Sequence, residues 1–167
     1  MDSINNVNLQ NINSETFSYE SSETGDFKEK PADEILELKV GAQVMLIKND
    51  LKSPKRWVNG SIGIVTQLTE NSIHLKIKNK IYKITPDTWE KFDYLIKDGQ
   101  VMHEVVATFT QYPIKLAWAV TIHKSQGQTF EKAVIDLDKG SFAPGQTYVA
   151  LSRVTSLDGL FLSRAIN

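Results

Sequence analysis

Between residues 73 and 78 the side chains alternate without exception. Ile73, Leu75 and Ile77 are apolar, and His74, Lys76 and Lys78 between them are polar or basic. A period of two places every second side chain on the same face, so this segment reads as a half-buried strand and cannot bury one face as a helix. Asn79-Lys80 supplies a turn and Ile81–Ile84 a returning strand. The same pattern extends on both sides. Val44–Lys48 is a short apolar strand after Gly41, Asn59-Gly60 is a strong turn signal before Ile62, Ile64 and Val65, and Val101–Gln111 is again β-rich. Residues 36–110 therefore read as a small β-barrel or meander. Lys76, Lys78, Lys80 and Lys83 cluster on its hairpin. Two explanations fit them: an edge strand charged against aggregation, or a nucleic-acid contact.

The chain has 167 residues, 41% of them hydrophobic and 23% charged, which is ordinary for a globular protein with its own core. It has no cysteine, which excludes disulfides and thiolate metal sites. No apolar run approaches the ~20 residues of a membrane span, and no signal-peptide core opens the chain. The formal net charge is −1, so bulk electrostatics do not mark it as a nucleic-acid binder. Its distribution is uneven: residues 1–30 carry six acids and two bases, and the remainder is net +3. That leader, rich in Asn, Ser and Glu, reads as disordered or loosely attached, with Phe17–Tyr19 able to form an edge strand.

Residues 111–167 change character. Pro113–Leu116 is a brief strand or extended entry, Ala117–Gln126 has helix-forming composition ending at Gly127, and Ala133–Leu137 is a compact apolar strand. Pro144 can open a second helix through about Thr155, and Gly159–Ser163 closes with a strand. This alternation predicts an incomplete α/β layer with a parallel sheet.

Two blocks here carry unusual polar groups, AWAVTIHKSQGQTF at residues 117–130 and GQTYVALSRV at residues 145–154. At ~100° per residue, Thr121, Lys124 and Ser125 share one face of a helix and His123 and Gln126 an adjacent one. Hydroxyls, an amide, an imidazole and an ammonium together suit the phosphate and sugar oxygens of a nucleic-acid strand. A metal is not suited, because His123 has no second ligand at metal-binding spacing. Ser125 and His123, two apart, do not form a nucleophile–base pair. In the second block Gln146 and Arg153 are seven apart, so an ideal helix turns them only ~20° from each other. Tyr148, Leu151 and Val154 would pack, and Arg153 would offer a guanidinium to a phosphate. Asp136 and Asp138 follow an apolar strand, which suits either a magnesium-site strand end or simple strand-exit residues, and the second reading is preferred where no P-loop is present. No glycine is followed by lysine anywhere, so the phosphate-cradling loop that ends GK[ST] is absent.

These blocks resemble motifs V and VI of superfamily 1 DNA helicases of the RecD and Pif type. LKVGAQVMLIKND followed by WVNGSIGIV looks like the segment leading into that family's small inserted β-barrel, YPIKLAWAV looks like the return from it, and Asp2-Ser3-Ile4-Asn5 is similar to the tail of its motif IV region. The resemblance implies a partial RecA-like α/β layer plus a Src-homology-3-like barrel, with residues 1–35 a leader and partial strand of the second RecA-like domain, 36–110 the barrel and 111–167 the rest of that domain. It also implies ATP-driven 5′-to-3′ translocation and unwinding in a longer cytoplasmic protein, of which this chain would be a C-terminal fragment, inactive alone.

By the same resemblance, Thr121, His123, Lys124, Ser125 and Gln126 contact single-stranded DNA. Gly127, Thr129 and Gln146 lie on the ATP side, and Arg153 is the catalytic arginine reaching the γ-phosphate. ATP and Mg2+ would be bound mainly by an N-terminal RecA-like domain, the partner of this one, with none retained here and no metal site or membrane contact of its own. Two rival expectations are a stand-alone nucleic-acid-binding module centred on the lysine hairpin and a regulatory subunit lending Arg153 to a partner.

Overall fold

The computed structural model describes residues 1–97, 100–137 and 145–165, with only the backbone of 95–97 and 100. Asp138 and Pro144 lie outside the described residues. Most of the fold is β-sheet. In order, the chain forms α1 (Asp2–Gln10), β1 (Thr16–Glu20), β2 (Ser22–Thr24), β3 (Ile35–Lys39), β4 (Gln43–Leu46), β5 (Ile62–Thr69), β6 (Ser72–Ile77), β7 (Lys80–Ile84), β8 (Asp87–Lys97), β9 (Gln100–Gln111) and β10 (Ile114–Leu116). β11 (Ala133–Ile135), α2 (Gln146–Leu151), a 3-10 turn at Leu157–Gly159 and β12 (Leu160–Leu162) follow. The chain divides into two compact units, residues 2–118 and 119–167. No helix among the described residues is long and apolar enough to cross a membrane.

In the first unit a five-stranded antiparallel sheet runs β10-β4-β5-β6-β7. The alternation read from the sequence sets its faces: Ile73, Leu75 and Ile77 are buried and Lys76 is exposed. The turn after β6 sits one residue earlier than expected, at Lys78-Asn79, with Lys78 at φ 53°. Among the described residues β10 and β7 do not pair, so the sheet is open and no closed barrel forms. Two smaller sheets, β1-β3 and β2-β9-β8, complete the unit.

The leader is not loose. Leu9 of α1 and Tyr19 of β1 lie in the same core cluster as Leu36, Val44, Leu75 and Ile114. The Tyr19 hydroxyl donates to the Thr69 carbonyl at 2.7 Å, and its ring meets Tyr112 edge-on at 5.0 Å. Gln111, buried, donates through Nε2 to the carbonyls of Tyr19, Asp33 and Glu34, while its Oε1 accepts the Tyr112 N–H. A buried amide with both ends satisfied fixes its neighbours' geometry, because leaving any of these groups unpaired would cost ~1–3 kcal/mol. Polar composition points to a loose leader, but a few apolar and amide anchors hold it.

Two helix expectations are corrected. Residues 117–126 form no α-helix. Ala117 is clamped to β4, its N–H donating to the Gln43 carbonyl at 3.0 Å and its carbonyl accepting Gln43 Nε2 at 2.8 Å. Pro113–Leu116, expected at the head of the α/β layer, pairs through β10 with β4 instead. The second helix is only six residues and ends at Leu151, not near Thr155. The parallel pairing does form in the second unit, Ala133–Ile135 lying in register with Leu160–Leu162.

Candidate nucleic-acid and nucleotide site

All nine residues that the resemblance assigns to DNA or nucleotide fall in the second unit. The first block forms a compact turn. The Thr121 carbonyl accepts the Ser125 N–H at 3.0 Å, and the Thr121 hydroxyl accepts the Lys124 N–H at 3.1 Å. Gln126 N–H reaches His123 O and Gln128 N–H reaches Ser125 O. Val120, Thr121 and Ile122 are all β-branched and disfavour a helix. The Thr121 side chain offers the backbone a local partner in place of one. The turn closes at Gly127, whose φ of +76° is a left-handed conformation that L side chains rarely adopt.

The turn sorts the residues it carries. His123, Lys124 and Gln126 are exposed, and Thr121 is half-buried. Ser125 is buried, its hydroxyl donating to the Ile122 carbonyl at 2.7 Å. It shapes the turn and faces away from solvent, unlike the other members of the expected DNA-contacting set. Gly127 and Thr129 are exposed, and an atom added at the Gly127 Cβ position would meet nothing within 4 Å.

The second block starts at Gly145 (φ +79°), with Gln146 half-buried in the first turn of α2. Tyr148 does not pack as expected; it is 74% exposed, and Ala150 is the buried residue of this helix. Arg153 lies past the helix end, so the ideal-helix angle to Gln146 does not apply. Its Nε donates to Val149 O at 3.1 Å, Nη2 to Ser152 Oγ at 2.8 Å and Nη1 to Gln128 O at 3.3 Å. A guanidinium has five N–H donors. Two hold it against the end of α2, where a cation is favoured by the exposed carbonyls, and a third reaches the first block at Gln128 O.

The two blocks are stitched together by backbone. Phe130 N–H donates to Arg153 O at 2.8 Å and Thr155 N–H to Phe130 O at 3.0 Å, a parallel bridge pairing Phe130 with Val154. The Gln128–Phe130 exit of the turn therefore runs beside Arg153–Thr155. Sequence reading missed this role of Gln128 and Phe130, because a carbonyl acceptor carries no residue-type signal. At the end of β11, Asp136 Oδ1 accepts the Ser163 hydroxyl at 2.8 Å, as a strand-exit group. Among the described residues no cluster of three His, Asp or Glu could hold a metal ion.

A family model described as the 2B domain of DNA helicase Pif1 matches residues 28–68, which include β3, β4 and most of β5. The ATP-dependent DNA helicase Pif1 of Bdellovibrio bacteriovorus is 40% identical over 135 residues, covering 81% of this chain and 29% of that protein. The unliganded structure of Pif1 from a Bacteroides species superposes with a TM-score of 0.87 at 40% identity, covering 99% of this chain and 38% of that one. A Bacteroides Pif1 helicase in complex with ADP-AlF3 and ssDNA superposes at 0.80 with the same identity and shares. The chain thus spans well under half the length of these relatives. With the family model seated on its sheet and 40% identity carried across almost its whole length, it belongs to the Pif1 family of DNA helicases.

Proposed function

We propose that this chain supplies one part of an ATP-driven DNA helicase that translocates 5′-to-3′ on single-stranded DNA and unwinds duplex. In this reading His123, Lys124, Gln126 and Thr121 contact the strand backbone, while Ser125 positions their turn. Gly127, Thr129 and Gln146 border the nucleotide, and Arg153 offers its remaining N–H donors to the nucleotide phosphates. The observation that carries the reading is the stitch between Gln128–Phe130 and Arg153–Thr155, with Arg153 Nη1 3.3 Å from Gln128 O. It joins a turn presenting an imidazole, an ammonium and an amide to a held guanidinium. The relative crystallised with ADP-AlF3 and ssDNA supports assigning both ligand classes to this family member.

ATP would supply phosphoryl-transfer energy, and Arg153 would stabilise the charge that develops on the transferred group, an effect worth ~10³–10⁵ in rate for arginine fingers elsewhere. The phosphate-cradling loop, and the metal that works beside it, are assigned to a partner domain, since the sequence has no GK[ST] ending. The layer of residues 119–167 is read as part of a RecA-like domain and the sheet unit as its insertion.

The test is binding of the chain to a fluorescein-labelled oligothymidine, read by anisotropy at low salt. His123→Ala with Lys124→Ala should weaken binding and flatten its salt dependence, because fewer strand phosphates are then neutralised. Binding unchanged in that variant, or absent in the parent chain, overturns the strand assignment. Arg153→Ala should leave strand binding intact and abolish any stimulation of a P-loop ATPase partner. Stimulation that persists overturns the arginine role.

A further inference from the structure

Residues 51–83 carry seven bases and a single acid, Glu70, a net of +6 in a chain whose formal net charge is −1. None of these residues belongs to the site described above, and all lie in the sheet unit. The topology gathers them around one sheet edge. β7 is the last strand, and its hairpin with β6 places Lys83 opposite His74 and Ile81 opposite Lys76 on the outward face. Lys80 and Tyr82 point to the other face. There Trp57 meets Tyr82 edge-on at 5.8 Å and brings the loop with Lys52, Lys55 and Arg56 alongside. The outward face of this edge, the turn at Lys78 and the exposed end of β7 at Lys80 are therefore cationic.

Protection against edge-to-edge pairing explains lysines on β7. It does not explain Lys76, which sits on the interior strand β6, nor the three bases in the loop. Internal pairing does not explain them either. Among the described residues the four hairpin lysines, Lys52 and Lys55 enter no ion pair, and only Arg56 is neutralised, by Asp50 at 2.7 Å. The loop is also built in place. Asp50 Oδ1 accepts Arg56 Nη2 at 2.8 Å and the Lys52 N–H at 3.3 Å, Oδ2 accepts Arg56 N–H at 2.9 Å, and the guanidinium lies 4.2 Å over Trp57. Unpaired cations held on a folded edge match a polyanion.

We propose that this edge is a second DNA-binding surface, and that it takes the phosphate backbone of duplex DNA. The aromatic residues decide between duplex and single strand. Single-strand sites offer ring faces on which splayed bases stack. Here Trp57 is taken up by Arg56 over one face and by Tyr82 edge-on, and both rings are half-buried, which leaves the lysines as the exposed groups of this edge. What remains is lysine point charge, which contacts phosphates without reading sequence.

The experiment compares binding of the chain to a labelled ~20-base-pair duplex and to oligothymidine across a salt series. Lys76, Lys78, Lys80 and Lys83 are changed together to Gln, and in a second variant together to Arg. The Gln variant should lose duplex affinity, with the slope of log K against log salt shallower by about 2 to 4, at ~0.9 for each phosphate no longer neutralised. Oligothymidine binding should hold. The Arg variant should keep duplex binding, which separates the removal of charge from a disturbed hairpin. His123→Ala with Lys124→Ala should show the opposite pattern, so failure of this proposal is distinguishable from failure of the strand assignment. Duplex binding unaffected by the Gln change, duplex binding absent in the parent chain, or an equal loss on oligothymidine would each overturn it.

Discussion

Asp50→Asn is the substitution that most directly tests how the basic loop is held. The Asp50 carboxylate is buried and accepts four hydrogen bonds, two from the Arg56 guanidinium and two from the backbone N–H groups of Lys52 and Arg56. The guanidinium bonds, then the backbone N–H bonds, hold its pKa far below the ordinary aspartate range despite burial. Asn keeps the shape but loses the charge and turns an NH2 toward donors. Charge-assisted bonds contribute ~1.5–3 kcal/mol each when removed, and breaking a fully buried pair costs ~3–5 kcal/mol. The Arg56 side chain is 29% exposed, so water recovers part of that loss, and about 2–3 kcal/mol is expected at neutral pH.

The sign with pH follows from the depressed pKa. The stabilisation is complete above the unfolded value of ~3.9. It is lost progressively as pH falls below that value toward the folded pKa, because the unfolded chain then binds a proton that the folded chain resists. Urea unfolding at a series of pH values should therefore show the parent and Asp50→Asn curves far apart at pH ~7 and converging below pH ~4. A gap that stays constant down to low pH would refute an ionised Asp50 as the source of the stability.

Two further outcomes are expected. In the second unit, Gly159→Ala places a Cβ 1.8 Å from the Glu131 carbonyl oxygen. Backbone must move to relieve that overlap, at ~1–3 kcal/mol, and amide exchange at Ala133–Ile135 should accelerate; unchanged protection would show that Gly159 is not tightly packed. At alkaline pH the Tyr19 phenol, raised to about 12 by burial and then by Tyr112, stabilises the fold fully below pH ~10 and loses that contribution as pH rises toward 12. Tyr19→Phe should cost ~1 kcal/mol at neutral pH through the orphaned Thr69 carbonyl and flatten the alkaline loss, so an equally steep loss in the variant would assign it to another group.

The legible parts of the fold were those decided locally. Ile73, Leu75 and Ile77 bury together because strand geometry forces alternate side chains to one face, whatever lies beyond. Gly60 and Gly127 stand at turns because φ values of +89° and +76° suit glycine. Errors arose where a distant partner decided. Ala117 has good helix propensity, yet Gln43, far back in the chain, holds both its backbone groups in an extended pairing. Tyr19 looks like part of a polar leader, and its hydroxyl partner lies fifty residues on. In the candidate site, residue types were legible but their directions were not. Ser125 and Lys124 are adjacent, yet the turn buries one and exposes the other. The Asp50–Arg56 pair, six residues apart in the loop between β4 and β5, was missed because a loop has no period to betray which charges meet.

The stitch between the two motifs bears on how strand contact and nucleotide could be linked under the proposed function. α2 has six residues, too few to be stable as an isolated helix. Its orientation must come from its surroundings, and Arg153 hangs from its last carbonyls. Among the described residues the ladder from Phe130 to Arg153 and Thr155, together with Gln128 O on the guanidinium, ties the arginine to the exit of the His123–Lys124 turn. A shift of that turn is then delivered to the arginine through backbone hydrogen bonds rather than through mobile side chains. Rigidity of this kind transmits a displacement but does not create one, since coupling also needs an element with two arrangements that both ligands bias. The ladder is well suited to the transmitting role because it is short and is made of main-chain groups. The guanidinium is the specific part of the link: Arg153→Lys, which cannot span Val149, Ser152 and Gln128 at once, should weaken strand–nucleotide coupling while retaining the positive charge.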